Sequence, residues 1–279
     1  FHNGKELTAE DVKASLERWL TVSPRAAGLK IMTGIAVVDP YTVELSFSEP
    51  IGDILRRLLA DDGSKAVIMP KEIAEASPQG NLTEIVGTGP YKLVEYRPDE
   101  LVRVTRFEEY QPLDTPSNYQ GGKKNAYVDE IIFQIVPEAS TRVAGLEQGD
   151  LHIIVGLPET EFTWMKEDER MEPIVLLPPA YLWMFFNHQQ GPLTNLTLRQ
   201  AIMAALDMEI VLQQVKSDPS MWQAFGGLFP SSSTYSTAAG SEGIYNQKNP
   251  AKAKELMAEA GYNNEPIRIL TLQTEEALY

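Results

Sequence analysis

Gly87-Thr88-Gly89-Pro90, inside the run VGTGPYKLVEY at residues 86–96, is where residue types and spacing first suggest chemistry. Two glycines astride a threonine can turn backbone N–H groups toward a phosphate. A dinucleotide fingerprint, however, needs a third glycine and a following helix, whose N-terminus holds the pyrophosphate. A P-loop needs Gly-Lys-Ser/Thr leading into a helix, and no such string exists. Here Pro90 and an alternating strand follow, so the motif reads as structural. One or both glycines take φ > 0, or let another backbone pass close. Pro90 can then open a strand without supplying a hydrogen-bond donor.

Other candidate chemistry is thin. The three histidines, His2, His152 and His188, are far apart and form no H-x-x-x-H pair, so no zinc motif is present. The chain has no cysteine, which excludes disulfides, thiolate nucleophiles and cysteine metal sites. No G-x-S-x-G elbow occurs, and no cofactor motif is recognised. Carboxylates are abundant, which leaves a carboxylate-based hydrolase as a rival without a nucleophile signature. Asp61-Asp62 is a candidate for binding a cation or an ammonium group, because negative charge is unfavourable at the helix C-terminus expected there. The aromatic run Tyr181-Leu182-Trp183-Met184-Phe185-Phe186 suits a buried strand, and equally a strand lining a cleft. The sequons at Asn81 and Asn195 are at the level of chance.

With 24 Lys+Arg against 39 Asp+Glu, the formal charge is −15. Such a surface repels phosphate backbones, so nucleic acid is not an expected partner. No apolar run approaches the roughly 20 residues needed to cross a bilayer.

The elements that position these residues are well signposted. Thr8 and Asp11 form a capping-box variant, Leu7 and Val12 a hydrophobic staple, and Val12, Leu16, Trp19 and Leu20 a buried helical face. IAVVDPYTVELSF reads as two strands about Asp39-Pro40-Tyr41-Thr42. Pro50 is expected to open a helix with Ile51, Ile54, Leu55, Leu58 and Leu59 on its apolar stripe. A short strand at 66–69 and a small helix from Pro70 follow. Residues 91–107 read as a hairpin turning at 97–100, and 111–127 as a loop. DEIIFQIV, ASTRVAGLEQG and DLHIIVGL read as a parallel β-α-β unit, with Gly149 as the left-handed stop. A strand at 180–186 follows Pro178-Pro179. Residues 196–215 supply two helices or one broken helix, capped by Asn195. The helix in NPAKAKELMAEAGY is capped by Asn249, and IRILTLQT starts a strand.

Several of these stretches together resemble family 5 of the extracellular solute-binding proteins, the dipeptide, oligopeptide and nickel receptors of bacterial ATP-binding-cassette importers. The blocks are FHNGKELTAEDV, Asp39 with Tyr41-Thr42-Val43-Glu44 and Phe47, GTGPYKL at 87–93, TRVAGLEQGDLHI at 141–153, the run from Leu193 through Arg199-Gln200-Ala201-Ile202, and 253–262. They come in family order along essentially the whole chain. The family's Tyr-Trp pair after the second hairpin strand is here Glu109-Tyr110.

The resemblance implies an α/β, periplasmic-binding-protein-like type II architecture with mixed sheets. Its two lobes close on a ligand, and it is incomplete in this chain, an internal fragment. By that comparison, 1–86 is the small subdomain of lobe one, 87–182 its central part and 183–279 the beginning of lobe two, with the crossing near 178–186. The implied function is a non-enzymatic, monomeric receptor delivering a peptide-like ligand to a membrane permease. A nickel-chelate or oligosaccharide receptor of the same fold is the alternative. The implied location is periplasmic or extracellular, with a cell-surface lipoprotein anchor upstream as one form. Asp62 and Ser64, before residue 66, and Tyr181 and Trp183, at the crossing, are the implied ligand-facing positions.

Overall fold

A computed structural model describes residues 1–59, 63–118, 121–175, 184–216 and 218–270, and they fall into two compact units, Phe1–Pro137 and Glu138–Tyr279.

The first unit begins with α1 (Ala9–Val22). Its start is fixed from several sides. Thr8 donates its N–H and its hydroxyl to Asp11 Oδ2 at 2.9 and 3.0 Å, closing the capping box. The first helical N–H, at Ala9, is taken by Pro40 O at 2.8 Å. Pro40 sits in the turn of an antiparallel hairpin, β1 (Met32–Asp39) and β2 (Thr42–Phe47), whose Ile35↔Leu45 and Val37↔Val43 pairs share a face. Asp39 shapes this turn by accepting from Tyr41 N–H at 2.8 Å, and the Tyr41 hydroxyl donates to Glu6 at 2.6 Å. The orphan donors of a helix N-terminus are thus met partly from a distant turn.

The buried face of α1 is mixed in chemistry. Leu16 and Trp19 are buried as their spacing predicts, but so are Asp11, Ala14 and Ser15. Ala14 packs with Met69, Ile73, Ala74 and Val86, joined at the edge by Phe1 and Leu82. The helix expected from Pro50 is only α2 (Ile54–Leu58), with Asp53 at its N-cap, and Leu55 and Leu59 are exposed. A five-residue helix makes too few intrahelical bonds to stand on propensity alone. Residues 66–69 form no strand: Met69 bonds through its backbone to the Ser15 side chain, and Ala66 N–H donates to Leu58 O at 2.7 Å. The small helix after Pro70 is α3 (Lys71–Ala76).

A three-stranded antiparallel sheet completes this unit: β3 (Tyr91–Arg97), β4 (Leu101–Arg106) and β5 (Glu130–Gln134), in that order. Arg103 on the central strand pairs with Glu95 Oε2 at 3.0 Å and reaches Glu130 at 3.7 Å, a cross-strand charge ladder. On the other face, Tyr96, Val102 and Phe133 lie in one row, with Tyr96 and Phe133 exposed.

In the second unit, α4 (Ala139–Gln148) ends at Gly149, whose φ of 82° is the expected left-handed stop. The strand expected after it does not form, and β5 is antiparallel to its neighbour, so the parallel β-α-β unit is corrected. The segment instead folds back on α4. Leu151 N–H donates to Gly145 O at 3.0 Å, and Arg142 reaches Gly156 O at 3.0 Å. Those bonds take backbone groups a sheet would need, and Ile153 and Val155 are left exposed.

Next comes α5 (Glu159–Met165), and then α6 (Leu196–Ala205), α7 (Met208–Val215) and α8 (Pro250–Glu259). The second half of the aromatic run, 184–186, is in no strand, and residues 180–183 lie outside the described set. Likewise 267–270 form no strand, while 271–279 lie outside it. The 195–215 stretch is two helices, with Asp207 capping the second by accepting from Glu209 and Ile210 N–H. Helices α6 and α8 run antiparallel and cap each other. Asn195 Oδ1 takes Thr197 and Leu198 N–H, while its Nδ2 donates to Ala260 O at 3.2 Å. At the other end, Asn249 N–H donates to Ala204 O at 2.8 Å. Small residues at the contact, Ala201, Ala204 and Ala253, are buried with Leu198.

Candidate functional site

Four side chains of α1, at positions 11, 15, 18 and 19, follow the helical repeat and face one continuous stretch of backbone, residues 64–80. Trp19 Nε1 donates to Ser64 O at 2.7 Å. Ser15 Oγ donates to Met69 O at 3.1 Å and accepts from Met69 N–H at 3.0 Å. Asp11 Oδ1 accepts from Lys71 N–H at 2.8 Å, capping the first turn of α3. Arg18 donates to Ser77 O and Gly80 O, both at 2.7 Å. A segment that includes α3 is thereby tied to α1 through side-chain hydrogen bonds.

The electrostatics of this seam centre on Asp11. Burial pushes its carboxyl up, yet donation from Lys5, from the Lys71 backbone and from Thr8 outweighs that and brings it to about 2. Lys5 bridges Asp11 and Glu72 at 2.7 and 2.6 Å, and the Asp11 hydrogen bond is the main reason its own pKa is raised. Lys71 and Glu10 add a surface pair at 3.0 Å.

Ser64 is therefore a half-buried residue whose carbonyl is fixed by an indole, with Ser23 Oγ at 3.5 Å as a second donor. Asp62, Tyr181 and Trp183, together with Asp61, lie outside the described residues. Of the expected ligand-facing positions, only Ser64 can be placed.

At the glycine pair the geometry closes the phosphate question. Neither Gly87 nor Gly89 has positive φ, so no left-handed turn is made there; instead a distant segment pairs with Gly87. The visitor is His2. Its N–H donates to Gly87 O at 2.9 Å, and Gly87 N–H donates to His2 Nδ1 at 3.3 Å. An Nδ1 that accepts is unprotonated, so Nε2 carries the hydrogen and donates to Gly89 O at 3.0 Å. A Cβ at Gly87 would stand 3.5 Å from the ring. The same imidazole meets Phe107 edge-on, with centroids 5.1 Å apart. The Gly87 N–H that a phosphate would need is already committed. Sequence reasoning passed over His2 because a lone histidine carries no motif.

A hollow of about 220 Å³ in the second unit is lined by Glu159, Thr160, Phe162, Thr163, Asp218 and Met221. Glu159 accepts from Asp218 N–H at 2.8 Å, and Ser220 N–H donates to Asp218, holding that carboxyl below its ordinary value. The volume falls short of the roughly 300–1,000 Å³ of typical small-molecule pockets. His152 and His188 are exposed, and among the described residues no cluster of three metal-ligating side chains occurs.

Comparison with known proteins decides the family. The family model described as bacterial extracellular solute-binding proteins, family 5 middle, matches residues 1–278. The chain belongs to the family 5 bacterial extracellular solute-binding proteins. Among curated relatives, a probable peptide ABC transporter periplasmic-binding protein, y4tO of Sinorhizobium fredii, is 28% identical over 97% of this chain and 51% of its own length. The oligopeptide-binding protein AppA of Bacillus subtilis is 25% identical over 95% of this chain and 47% of its own. Among solved structures, the periplasmic binding protein AgaA of A. tumefaciens R10, in complex with agropinic acid, superposes with a TM-score of 0.68 at 25% identity. That match covers 94% of this chain and 50% of the other.

The architecture is that of the type II periplasmic-binding proteins, and the chain spans about half the length of the family 5 relatives it matches. The family is one of solute-binding transport proteins rather than enzymes. Among the described residues no helix is long and apolar enough to cross a membrane.

Proposed function

We propose that this chain is part of a receptor that captures a peptide-like solute outside the cytoplasmic membrane and delivers it to the permease of an ATP-binding-cassette importer. The observation that carries this is the family match from residue 1 to residue 278, joined to relatives described as peptide and oligopeptide binders. Capture works by closure of two lobes, the ligand shifting the open–closed equilibrium by its differential affinity for the two states. In this assignment, residues 1–86 are the small subdomain of lobe one, 87–182 its central part and 183–279 the start of lobe two, with the chain crossing near 178–186.

Asp62, Ser64, Tyr181 and Trp183 face the ligand. The rigid seam between α1 and residues 64–80 supports that role for Ser64, because a binding loop gains affinity when its backbone is ordered beforehand. The protein works as a monomer in the periplasm or on the cell surface, where a lipid anchor would hold it. It has no role with nucleic acid, in keeping with a charge of −15.

Calorimetry of the full-length protein against di- to pentapeptides, nickel chelates and oligosaccharides tests the assignment. Saturable peptide binding without turnover is expected. Preference for chelates or sugars, or the appearance of product, would overturn it.

A further inference from the structure

His2 joins three separate segments of the first unit through one side chain: the approach to α1, the glycine joint that leads into β3, and Phe107 beyond the end of β4. Only the neutral, Nε2-protonated imidazole can make both ring bonds. A doubly protonated ring would point an N–H at the Gly87 N–H, donor against donor, while keeping its bond to Gly89 O.

We propose that His2 is a proton-operated latch, which fastens the glycine joint to the approach of α1 when neutral and releases the Gly87 side of it when the ring is protonated.

The charged groups on the surrounding elements are already engaged with others. On β3, Lys92 Nζ lies 6.0 Å from the centroid of Phe107. Arg106, preceding Phe107, pairs with Glu108 at 3.1 Å and with Asp129. Lys5, on the approach to α1, is held by Asp11 and Glu72. None of these contacts replaces the acceptor that Nδ1 supplies to Gly87. Protonation therefore leaves a half-buried N–H without its partner, and the joint loosens while the sheet it feeds stays intact.

The test is amide hydrogen exchange read by nuclear magnetic resonance on the full-length protein, corrected for intrinsic rates, from pH about 8 to about 5. Long-range proton–nitrogen spectra of the ring report its tautomer. Expected are the Nε2–H form at the upper end and a roughly tenfold loss of Gly87 protection as the ring takes its second proton, equivalent to about 1.4 kcal/mol. Ile135 N–H, bonded to Glu100 O at 2.9 Å in the same unit, should keep its protection throughout. In His2→Phe, Gly87 should be unprotected at every pH. In His2→Gln, which keeps a donor and an acceptor, its protection should not vary with pH. An Nδ1–H tautomer, unchanged Gly87 protection across the titration, or loss shared equally by Ile135 would each overturn the latch.

Discussion

Trp19 donates its indole N–H to the carbonyl of Ser64 at 2.7 Å, so a buried aromatic of α1 sets the backbone position of the residue next to Gly63 and the acidic pair. Trp19→Phe keeps most of the apolar bulk and removes the donor. Losing that hydrogen bond should cost about 1–2 kcal/mol in chemical denaturation. If Ser64 lies at the ligand, peptide affinity measured by calorimetry should also fall roughly three- to tenfold through lost ordering of the loop. Unchanged affinity in a folded variant would remove Ser64 from the binding surface.

Ser15 provides a second test of the same seam. Ser15→Ala favours the helix slightly by propensity, but it strips both the donor and the acceptor from the buried backbone of Met69. A net loss of about 1–3 kcal/mol in the unfolding free energy from urea titration is expected. A neutral or stabilising result would mean that water replaces the hydroxyl there.

Asp11 makes stability depend on acid. Its folded-state value of about 2 lies below the roughly 3.9 of an unfolded aspartate. A depressed carboxyl adds stability that is fully present above the unfolded value and is lost as pH falls through the folded one. At neutral pH that contribution is at most about 2.6 kcal/mol. Denaturant melts of the first unit's signal at pH about 7, 4 and 2 should show it fading between the last two. Asp11→Asn should be less stable at neutral pH and flatter across that window.

Asn195 carries two separable roles. Asn195→Asp keeps the oxygen that caps α6 and loses the donor to Ala260 O, so it should cost less than Asn195→Ala, which loses both. The alanine variant should lose about 1–2 kcal/mol. Equal losses from the two substitutions would show that the tie to α8, and not the cap, is what matters.

Gly149→Ala tests the end of α4. No atom lies within 4 Å of the added methyl, so its cost is conformational, from a φ of 82°, and should be about 1 kcal/mol. A larger loss would point to a neighbour displaced by the substitution.

What the sequence disclosed follows from how local each signal is. The capping box at Thr8, the caps at Asn195 and Asn249 and the stop at Gly149 depend on residues within one turn, and all four are where they were expected. The two hairpins likewise announce themselves through alternation about a turn. The failures are places where a backbone had a choice of partner. Residues 151–156 have the apolar composition of a strand, but Gly145 O and Arg142 take their polar groups. Residues 66–69 were expected as a strand, but Met69 is docked by Ser15 and Ala66 N–H is taken by Leu58 O. Exposed Leu55 and Leu59 show that helical spacing alone does not supply a surface to bury against. At the candidate site, Trp19 was legible as core but its hydrogen bond was not. The contacts of His2 with Gly87 and Gly89, and of Asp11 with Lys71, join segments far apart in sequence, which no local pattern encodes.

The turn at Pro40 carries a consequence for protein engineering. Exposed loop tips are ordinarily the places where a chain tolerates inserted tags and grafted peptides. This one is an exception, because its carbonyl closes the first N–H of α1 and its Tyr41 hydroxyl holds Glu6 just ahead of that helix. An insertion between Asp39 and Thr42 would be felt as fraying of a helix encoded well upstream, so a reporter or affinity handle belongs on another surface.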